Sequence, residues 1–211
     1  MIDLYFYDTP NGYKITIFLE EAGLPYRIIA LDLTRGEHLT PEYTKINPNN
    51  QMPAIIDRNG PGGKPYKVFE SGAILLYLAE KAGQLMPTET GPRYEVIQWL
   101  MLQMGRIGPF FGQAVAFRRM EEQIPFAVDK FTKEARRLFG VLDRRLGEVP
   151  YLAGEYSIAD IATFPWTRVH ERQGIELEEF PNVKRWYDAI DSRPAVRRGL
   201  AVTVKGKPQD A

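Results

Sequence analysis

Hydrophobic and polar positions at the start of the chain change between a strand period and a helix period. Residues 2–7 alternate and are rich in aromatic side chains, which predicts a strand. Turn-forming residues follow at 8–12, and residues 13–22 then repeat apolar side chains at helical spacing until Gly23. A second strand is predicted over residues 26–31. The pattern therefore predicts a strand, a helix and a strand in succession.

The next segment is predicted to form a hairpin and a further helix. Short apolar runs at 54–57 and 66–69 flank Asn59-Gly60-Pro61-Gly62-Gly63, whose composition is typical of a hairpin turn. Residues 70–81 carry a strong apolar stripe that ends near a glycine. This order predicts an α/β domain over residues 1–83, built on a four-stranded mixed sheet.

The apolar pattern becomes helical throughout after a linker at 84–91, which contains proline and glycine. We predict an all-α domain over residues 92–201 and a C-terminal tail over 202–211. Ser157 and Asp160 have the spacing of a capping box, to which we assign a folding role. The helices predicted here span residues 96–104, 124–146, 158–172 and 183–192, with a short piece from 195.

Composition and charge argue against several classes of partner. The chain has 211 residues, and its 27 Lys and Arg balance its 27 Asp and Glu. Because nucleic-acid and polybasic membrane surfaces need a positive excess, we expect neither partner. No apolar run approaches the roughly 18 residues of a membrane span. The N-terminus also lacks the basic start of a secretory signal, so we expect a cytoplasmic protein.

The chain contains no cysteine, which excludes disulfides, thiolate metal sites and a cysteine nucleophile. Its two histidines, His38 and His170, are far apart in sequence and have no ligand-like spacing, so we expect no metal site. Any sulfur chemistry must therefore use sulfur that a ligand brings.

Two motifs have the chemistry of a peptide-binding site. Pro53 cannot donate to a sheet, and a cis Met52-Pro53 bond would turn the N–H and C=O of Met52 outward, towards another backbone. Glu70 and Ser71 open a helix whose free N–H groups and positive dipole end favour a carboxylate. The two motifs fit an acidic peptide ligand, and equally a turn followed by an ordinary capped helix.

The chain resembles the glutathione transferase superfamily over nearly its whole length. The resemblance rests on the runs at 50–54, 69–78 and 156–160, which stand in the superfamily's order. Thr9-Pro10-Asn11-Gly12, with residues 157–162, further resembles the bacterial Nu-class branch. The resemblance implies a thioredoxin-like domain joined to a C-terminal helical bundle, a homodimer, and glutathione-dependent disulfide reductase activity.

The resemblance also implies which residues hold glutathione, used here as a co-substrate. It implies that the backbone of Met52, beside Pro53, pairs with the cysteinyl unit. Glu70 would hold the γ-glutamyl ammonium, and the hydroxyl and N–H of Ser71 would hold the carboxylate.

Thr9 and Asn11 stand where the Nu-like pattern places the groups that donate hydrogen bonds to the glutathione sulfur. Lowering a thiol pKa of about 8.5 by about 2 units raises its ionised fraction at pH 7 from about 3% to about three-quarters. The alternative is that both residues merely form a turn. Tyr5 and Tyr7, which strand parity points the same way, are second candidates because other transferase classes use a first-strand tyrosine.

Two further positions match the Nu-like pattern less closely. His38 stands where a Gln usually contacts the glycine end of glutathione, and both side chains can donate a hydrogen bond. Lys130 stands where the branch places a basic residue, often an Arg, that reaches the ligand. An exposed loop histidine and a solvated helical lysine are the respective alternatives.

Three functions remain open at this point. The first is reduction of a disulfide by glutathione thiolate, without any protein cysteine. The second is conjugation of glutathione to an electrophilic small molecule, which uses the same thiolate and a hydrophobic second pocket. The third is a non-catalytic interaction module, against which the intact glutathione motifs argue.

Overall fold

The computed structural model of the chain describes residues 1–204, so most of the predicted tail at 202–211 lies outside the described residues. The chain divides into two compact units. One contains residues 1–84 together with the segment that begins at Pro194, and the other contains residues 85–193.

The first unit contains the strands and the helices that pack on them. Its elements are β1 (Ile2–Phe6), α1 (Pro10–Ala22), β2 (Tyr26–Ala30), α2 (Pro41–Thr44), β3 (Ala54–Asp57), β4 (Tyr66–Phe69), α3 (Ser71–Ala82) and α10 (Pro194–Ala201). The second unit is helical. Its elements are α4 (Thr90–Leu102), α5 (Gly108–Arg119), α6 (Pro125–Glu148), α7 (Ile158–Thr167), α8 (His170–Gln173) and α9 (Pro181–Asp191).

Within residues 1–204 the strands form a four-stranded sheet in the order β2-β1-β3-β4. β1 pairs in parallel with β2, with Ile2 opposite Tyr26, and antiparallel with β3, with Ile2 opposite Asp57. β3 pairs antiparallel with β4. A parallel pair needs a crossover connection, which α1 supplies. The predicted mixed, thioredoxin-like sheet is confirmed.

The C-terminal helix α10 belongs to the first unit, although the sequence pattern grouped residues 92–201 with the helical domain. α10 packs closely on α1: a Cβ added at Gly199 would lie 2.7 Å from the Cα of Ile17. The Thr16 hydroxyl also donates a hydrogen bond of 2.9 Å to the Gly199 carbonyl. A glycine at this crossing is what lets the two backbones approach each other.

The second unit contains the predicted capping box at the start of α7. Ser157 caps the helix, and the buried Asp160 carboxylate accepts from the N–H of Ser157 at 3.0 Å. The same carboxylate accepts from the Leu152 N–H at 3.0 Å and from Trp186 Nε1 at 2.8 Å. Burial raises the pKa of Asp160 to about 6. The capping motif therefore serves folding, as the sequence predicted.

Other helices of the second unit depart from the predicted pattern. A π-helical turn at Gln103–Ile107 connects α4 to α5, and the sequence pattern did not predict α5. The predicted helix over 158–172 is divided into α7 and α8. Among the described residues, no helix is both long enough and apolar enough to cross a membrane.

Candidate functional site

Three segments that are distant in sequence meet around a cavity of about 150 Å³ in the first unit. They are the first turn of α1, the loop before β3 and the start of α3. The residues that line the cavity are Asn11, Asn47, Asn49, Gln51, Met52, Pro53, Glu70 and Ser71. The cavity thus brings together five residues that the sequence predicted for a glutathione site.

The loop before β3 is fixed through the carbonyl of Gln51. That oxygen accepts from the Tyr43 hydroxyl at 2.7 Å and from the Asn47 side-chain amide at 2.6 Å. The Met52-Pro53 bond is cis, as expected, and the side chain of Met52 is buried. Among the described residues, neither the N–H nor the C=O of Met52 has a hydrogen-bond partner. Both groups are therefore available to the backbone of a ligand.

Glu70 and Ser71 form the start of α3, and both line the cavity. Glu70 is exposed and has a φ of 69°, a conformation that costs a non-glycine residue roughly 1–3 kcal/mol. Ser71 is only 6% exposed and is the first helical residue. The first N–H groups of a helix have no intrahelical acceptors, so this end favours an anion.

Lys14 is a functional candidate that the sequence reasoning missed. It is 1% exposed, and its Nζ lies 3.2 Å from the hydroxyl oxygen of Ser71. Burial lowers the pKa of Lys14 to about 7, while the negative charge of Glu70 opposes that shift. The sequence feature that could have identified Lys14 is its spacing: it lies three and four positions before Ile17 and Phe18, on the buried face of α1.

Thr9 caps α1, and its Oγ1 accepts from the Gly12 N–H at 3.2 Å. A hydroxyl that accepts one hydrogen bond keeps its own proton to donate. A Cβ added at Gly12 would lie 2.6 Å from the Tyr7 carbonyl, so a glycine is needed where this turn leaves the sheet. Asn11 lines the cavity, whereas Thr9 lies two residues earlier and is not among its lining residues.

The two tyrosines of the first strand segment pack against the loop before β3. Tyr5 and Tyr7 both contact the cluster formed by Tyr43, Met52 and Ala54, so their predicted common direction is confirmed. The rings of Tyr5 and Tyr43 have centroids 5.5 Å apart, and burial raises the pKa of the Tyr5 phenol. These contacts give both tyrosines a packing role.

His38 and Lys130 do not line this cavity. The carbonyl of His38 accepts from the side-chain amide of Asn50 at 2.7 Å, and His38 Nδ1 is buried without a hydrogen-bond partner among the described residues. Lys130 is an exposed residue of α6 in the second unit. Its Nζ lies 5.7 Å from the ring centroid of Phe131 and 6.0 Å from that of Phe126. The ligand contacts of both residues remain predictions.

Within residues 1–204, no group of three or more His, Cys, Asp or Glu is arranged to hold a metal ion.

Family models match both halves of the chain. The model for the glutathione S-transferase N-terminal domain matches residues 2–80, and the model for the glutathione S-transferase C-terminal domain matches residues 112–194.

Individual proteins are similar to the chain over nearly all of its length. The disulfide-bond oxidoreductase YfcG of Escherichia coli K12 is 51% identical, over 95% of this chain and 94% of that protein. A glutathione transferase from Burkholderia graminis, solved with two glutathione molecules per subunit, has a TM-score of 0.92 and 48% identity, over 97% of this chain and 89% of that one. A glutathione transferase from Pseudomonas putida, solved with one glutathione disulfide per subunit, has a TM-score of 0.91 and 45% identity, over 95% of this chain and 91% of that one.

Proposed function

Because the chain belongs to the glutathione S-transferase family, we propose that it is an enzyme that binds glutathione and uses the glutathione thiolate to reduce disulfide bonds. The observation that carries this proposal is the cavity in the first unit. It joins the unpaired backbone groups of Met52, the anion-favouring start of α3 and the first turn of α1 in one place. Those are the groups that a short acidic peptide with a thiol requires.

The γ-glutamyl and cysteinyl parts of glutathione each have a matching group in the proposed complex. The N–H and C=O of Met52 pair with the cysteinyl backbone. The hydroxyl and N–H of Ser71 hold the γ-glutamyl carboxylate, and Glu70 holds the ammonium. Thr9 and Asn11 donate hydrogen bonds to the sulfur and so stabilise its thiolate form.

The proposed reaction takes two exchange steps. The bound glutathione thiolate attacks one sulfur of the substrate disulfide, which breaks the S–S bond, forms a mixed disulfide and releases a thiolate that takes up a proton. The thiolate of a second glutathione then attacks the glutathione sulfur of the mixed disulfide, releasing the second substrate thiol and glutathione disulfide. The substrate gains two electrons, and the two glutathione molecules lose them.

The absence of cysteine supports this scheme, because no side chain of the chain can serve as the attacking or the resolving thiol. Relatives solved with two glutathiones, or with glutathione disulfide, hold the reactant and product that the scheme needs. The decisive assay follows reduction of 2-hydroxyethyl disulfide by reduced glutathione. We expect turnover that depends on enzyme concentration, and a rate no higher than that without enzyme would contradict the proposal.

Conjugation of glutathione to an electrophile is the second candidate function, and the transferase names of several structural relatives favour it. It uses the same thiolate but a different acceptor. Comparing kcat/KM for 2-hydroxyethyl disulfide with that for 1-chloro-2,4-dinitrobenzene separates the two. We expect the disulfide to be the better substrate.

The assembly and the location belong to the same proposal. We assign the chain to the Nu-like branch, as a cytoplasmic homodimer. The dimer is supported by two exposed apolar side chains on α4: Tyr94 is 63% exposed and Met101 is 47% exposed. The two residues are seven positions apart, about two helical turns, so they lie on one face of the helix.

A further inference from the structure

Lys14 is a lysine buried inside the first unit, under the start of α3. Lysine is almost never fully buried unless it is paired, because an ammonium loses much of its hydration energy away from water. An aliphatic residue of similar length would fill the same space without that cost. The burial therefore indicates that the amino group itself is needed.

The contact between Lys14 and Ser71 determines how the hydroxyl is oriented. The two atoms lie 3.2 Å apart, and the charged form of Lys14 has only donors, so with that form the Ser71 oxygen accepts and its own proton points elsewhere. Ser71 is the residue that holds the γ-glutamyl carboxylate in the proposed complex. A charged Lys14 therefore makes Ser71 a donor to that carboxylate.

We propose that Lys14 is a positioning residue whose ammonium is the buried counter-charge for the γ-glutamyl carboxylate, acting through Ser71, so that glutathione binding draws a proton into the protein. This inference rests on the proposed function, because it takes glutathione as the ligand. It adds to the site a charged group, Lys14, which is not among the residues that line the cavity.

The electrostatic surroundings support proton uptake. Burial lowers the pKa of Lys14 to about 7, so about half of these lysines are neutral at pH 7. Glu70, at the start of α3, is the nearby charge that opposes the shift. On α10, which packs against the same helix, Arg197 and Arg198 are the charged groups, and Arg198 pairs with Glu20 of α1 at 2.7 Å. A bound carboxylate one hydroxyl away adds negative charge and favours the ammonium.

The test is isothermal titration calorimetry with S-methylglutathione, which has no thiol proton to release. Titrations in buffers of different ionisation enthalpy give the number of protons taken up. We expect an uptake of about half a proton per site at pH 7 and almost none at pH 5.5, where Lys14 is already charged.

Two variants assign the proton to Lys14. Lys14→Met should abolish the uptake and weaken binding about tenfold, a loss of about 1.4 kcal/mol. Lys14→Arg keeps a charge that does not titrate in this range, so it should also abolish the uptake while restoring most of the affinity. Should Lys14→Met fail to fold, the wild-type pH profile and the arginine variant still decide the question.

The outcomes separate this inference from the proposed function. Binding of S-methylglutathione without proton uptake would overturn the role of Lys14 and leave the glutathione site standing. Uptake that persists in Lys14→Met would assign the proton to another group and would also overturn it. Absence of binding would overturn both proposals.

Discussion

At Thr9 one hydroxyl group has two tasks in the proposed reaction. It accepts from the Gly12 N–H at 3.2 Å and so caps α1, and its own proton is left to donate to the glutathione sulfur. Tyr7 packs against the cluster around Met52 instead. Because of this difference in contacts, we expect Thr9 and not Tyr7 to donate to the glutathione sulfur.

We therefore expect Thr9→Ala and Asn11→Ala each to lower kcat/KM for disulfide reduction at least about tenfold, because each removes a donor to the thiolate. Tyr7→Phe should change it little. Steady-state kinetics with 2-hydroxyethyl disulfide measure the effect, and Thr9→Ser, which keeps the hydroxyl, is the control. The assignment is wrong if Tyr7→Phe proves the more damaging change.

Lys14 also makes stability depend on pH. Its pKa is about 7 in the folded protein, below the ordinary value of 10.5. Between these values the unfolded chain binds more protons, so the free energy of unfolding of the wild type rises with pH across this window.

Lys14→Met lacks this dependence because the methionine has no charge to bury. We expect the variant to be more stable than the wild type at pH 6 and this advantage to shrink by pH 9.5. Urea unfolding at the two pH values measures it. Lys64→Met, at an exposed position of the same unit, is the matched control. An advantage of equal size at both pH values would contradict the argument.

At the scale of elements, two buried contacts hold helices in place. One lies at the start of α7 in the second unit, and the other lies between α10 and α1 in the first unit. At the start of α7, the Asp160 carboxylate accepts hydrogen bonds from the backbone N–H groups of Leu152 and Ser157 and from the indole N–H of Trp186. The close approach of Gly199 to Ile17 lets α10 pack on α1, the helix that carries Asn11 and Lys14. Both contacts are buried, so substitutions there should act through stability.

Asp160→Ala leaves three buried donors without their acceptor, at about 1–3 kcal/mol each. We expect the free energy of unfolding to fall by at least about 3 kcal/mol, measured by chemical denaturation. Glu155→Ala is the control, because Glu155 is an exposed acid just before the same helix, and it should change the value by less than about 0.5 kcal/mol. Equal effects of the two substitutions would rule out the network as the cause.

Gly199→Ala places a methyl group 2.7 Å from the backbone of Ile17, and backbone cannot give way cheaply. We expect a loss of about 1–3 kcal/mol of stability, measured by thermal or urea unfolding. Gly140→Ala, in the interior of α6 with no atom closer than 4.0 Å, is the matched control and should be neutral or stabilising. If Gly199→Ala left the stability unchanged, α10 would not pack against α1 at the described distance.

At the scale of the whole molecule, the proposed homodimer gives the exposed apolar face of α4 a partner. Tyr94 and Met101 lie on that face. A charge placed in a buried apolar interface is costly, whereas the same charge at a surface position outside it is not.

We expect light scattering after size exclusion to give twice the mass of one chain for the wild type. Met101→Glu should shift the protein towards the monomer. Met120→Glu, at an exposed position at the end of α5, is the control and should leave the mass unchanged. A wild-type protein that runs as a monomer at micromolar concentration would exclude the dimer.

The elements that the sequence predicted best are those with a clear local period. The four strands and the mixed sheet follow from alternation and turn residues, and these are confirmed. The helix α5 was missed because Gly105, Gly108 and Gly112 with Pro109 weaken its local helix signal. In the structure, Cβ positions at Gly108 and Gly112 would lie 3.5 Å and 3.2 Å from Trp166, so these glycines make room for that ring.

The sequence by itself determined the absence of a thiol, the order of strands and helices over residues 1–83, and the motifs around Asn11, Met52 and Ser71. It did so because composition, period and turn chemistry are local properties of a chain. Only the tertiary structure decided that Asn47 anchors the loop before β3 and that α10 joins the first unit. The same holds for the burial of Lys14, whose partner lies 57 residues away. Burial and charge pairing depend on contacts between distant segments, which no local pattern records.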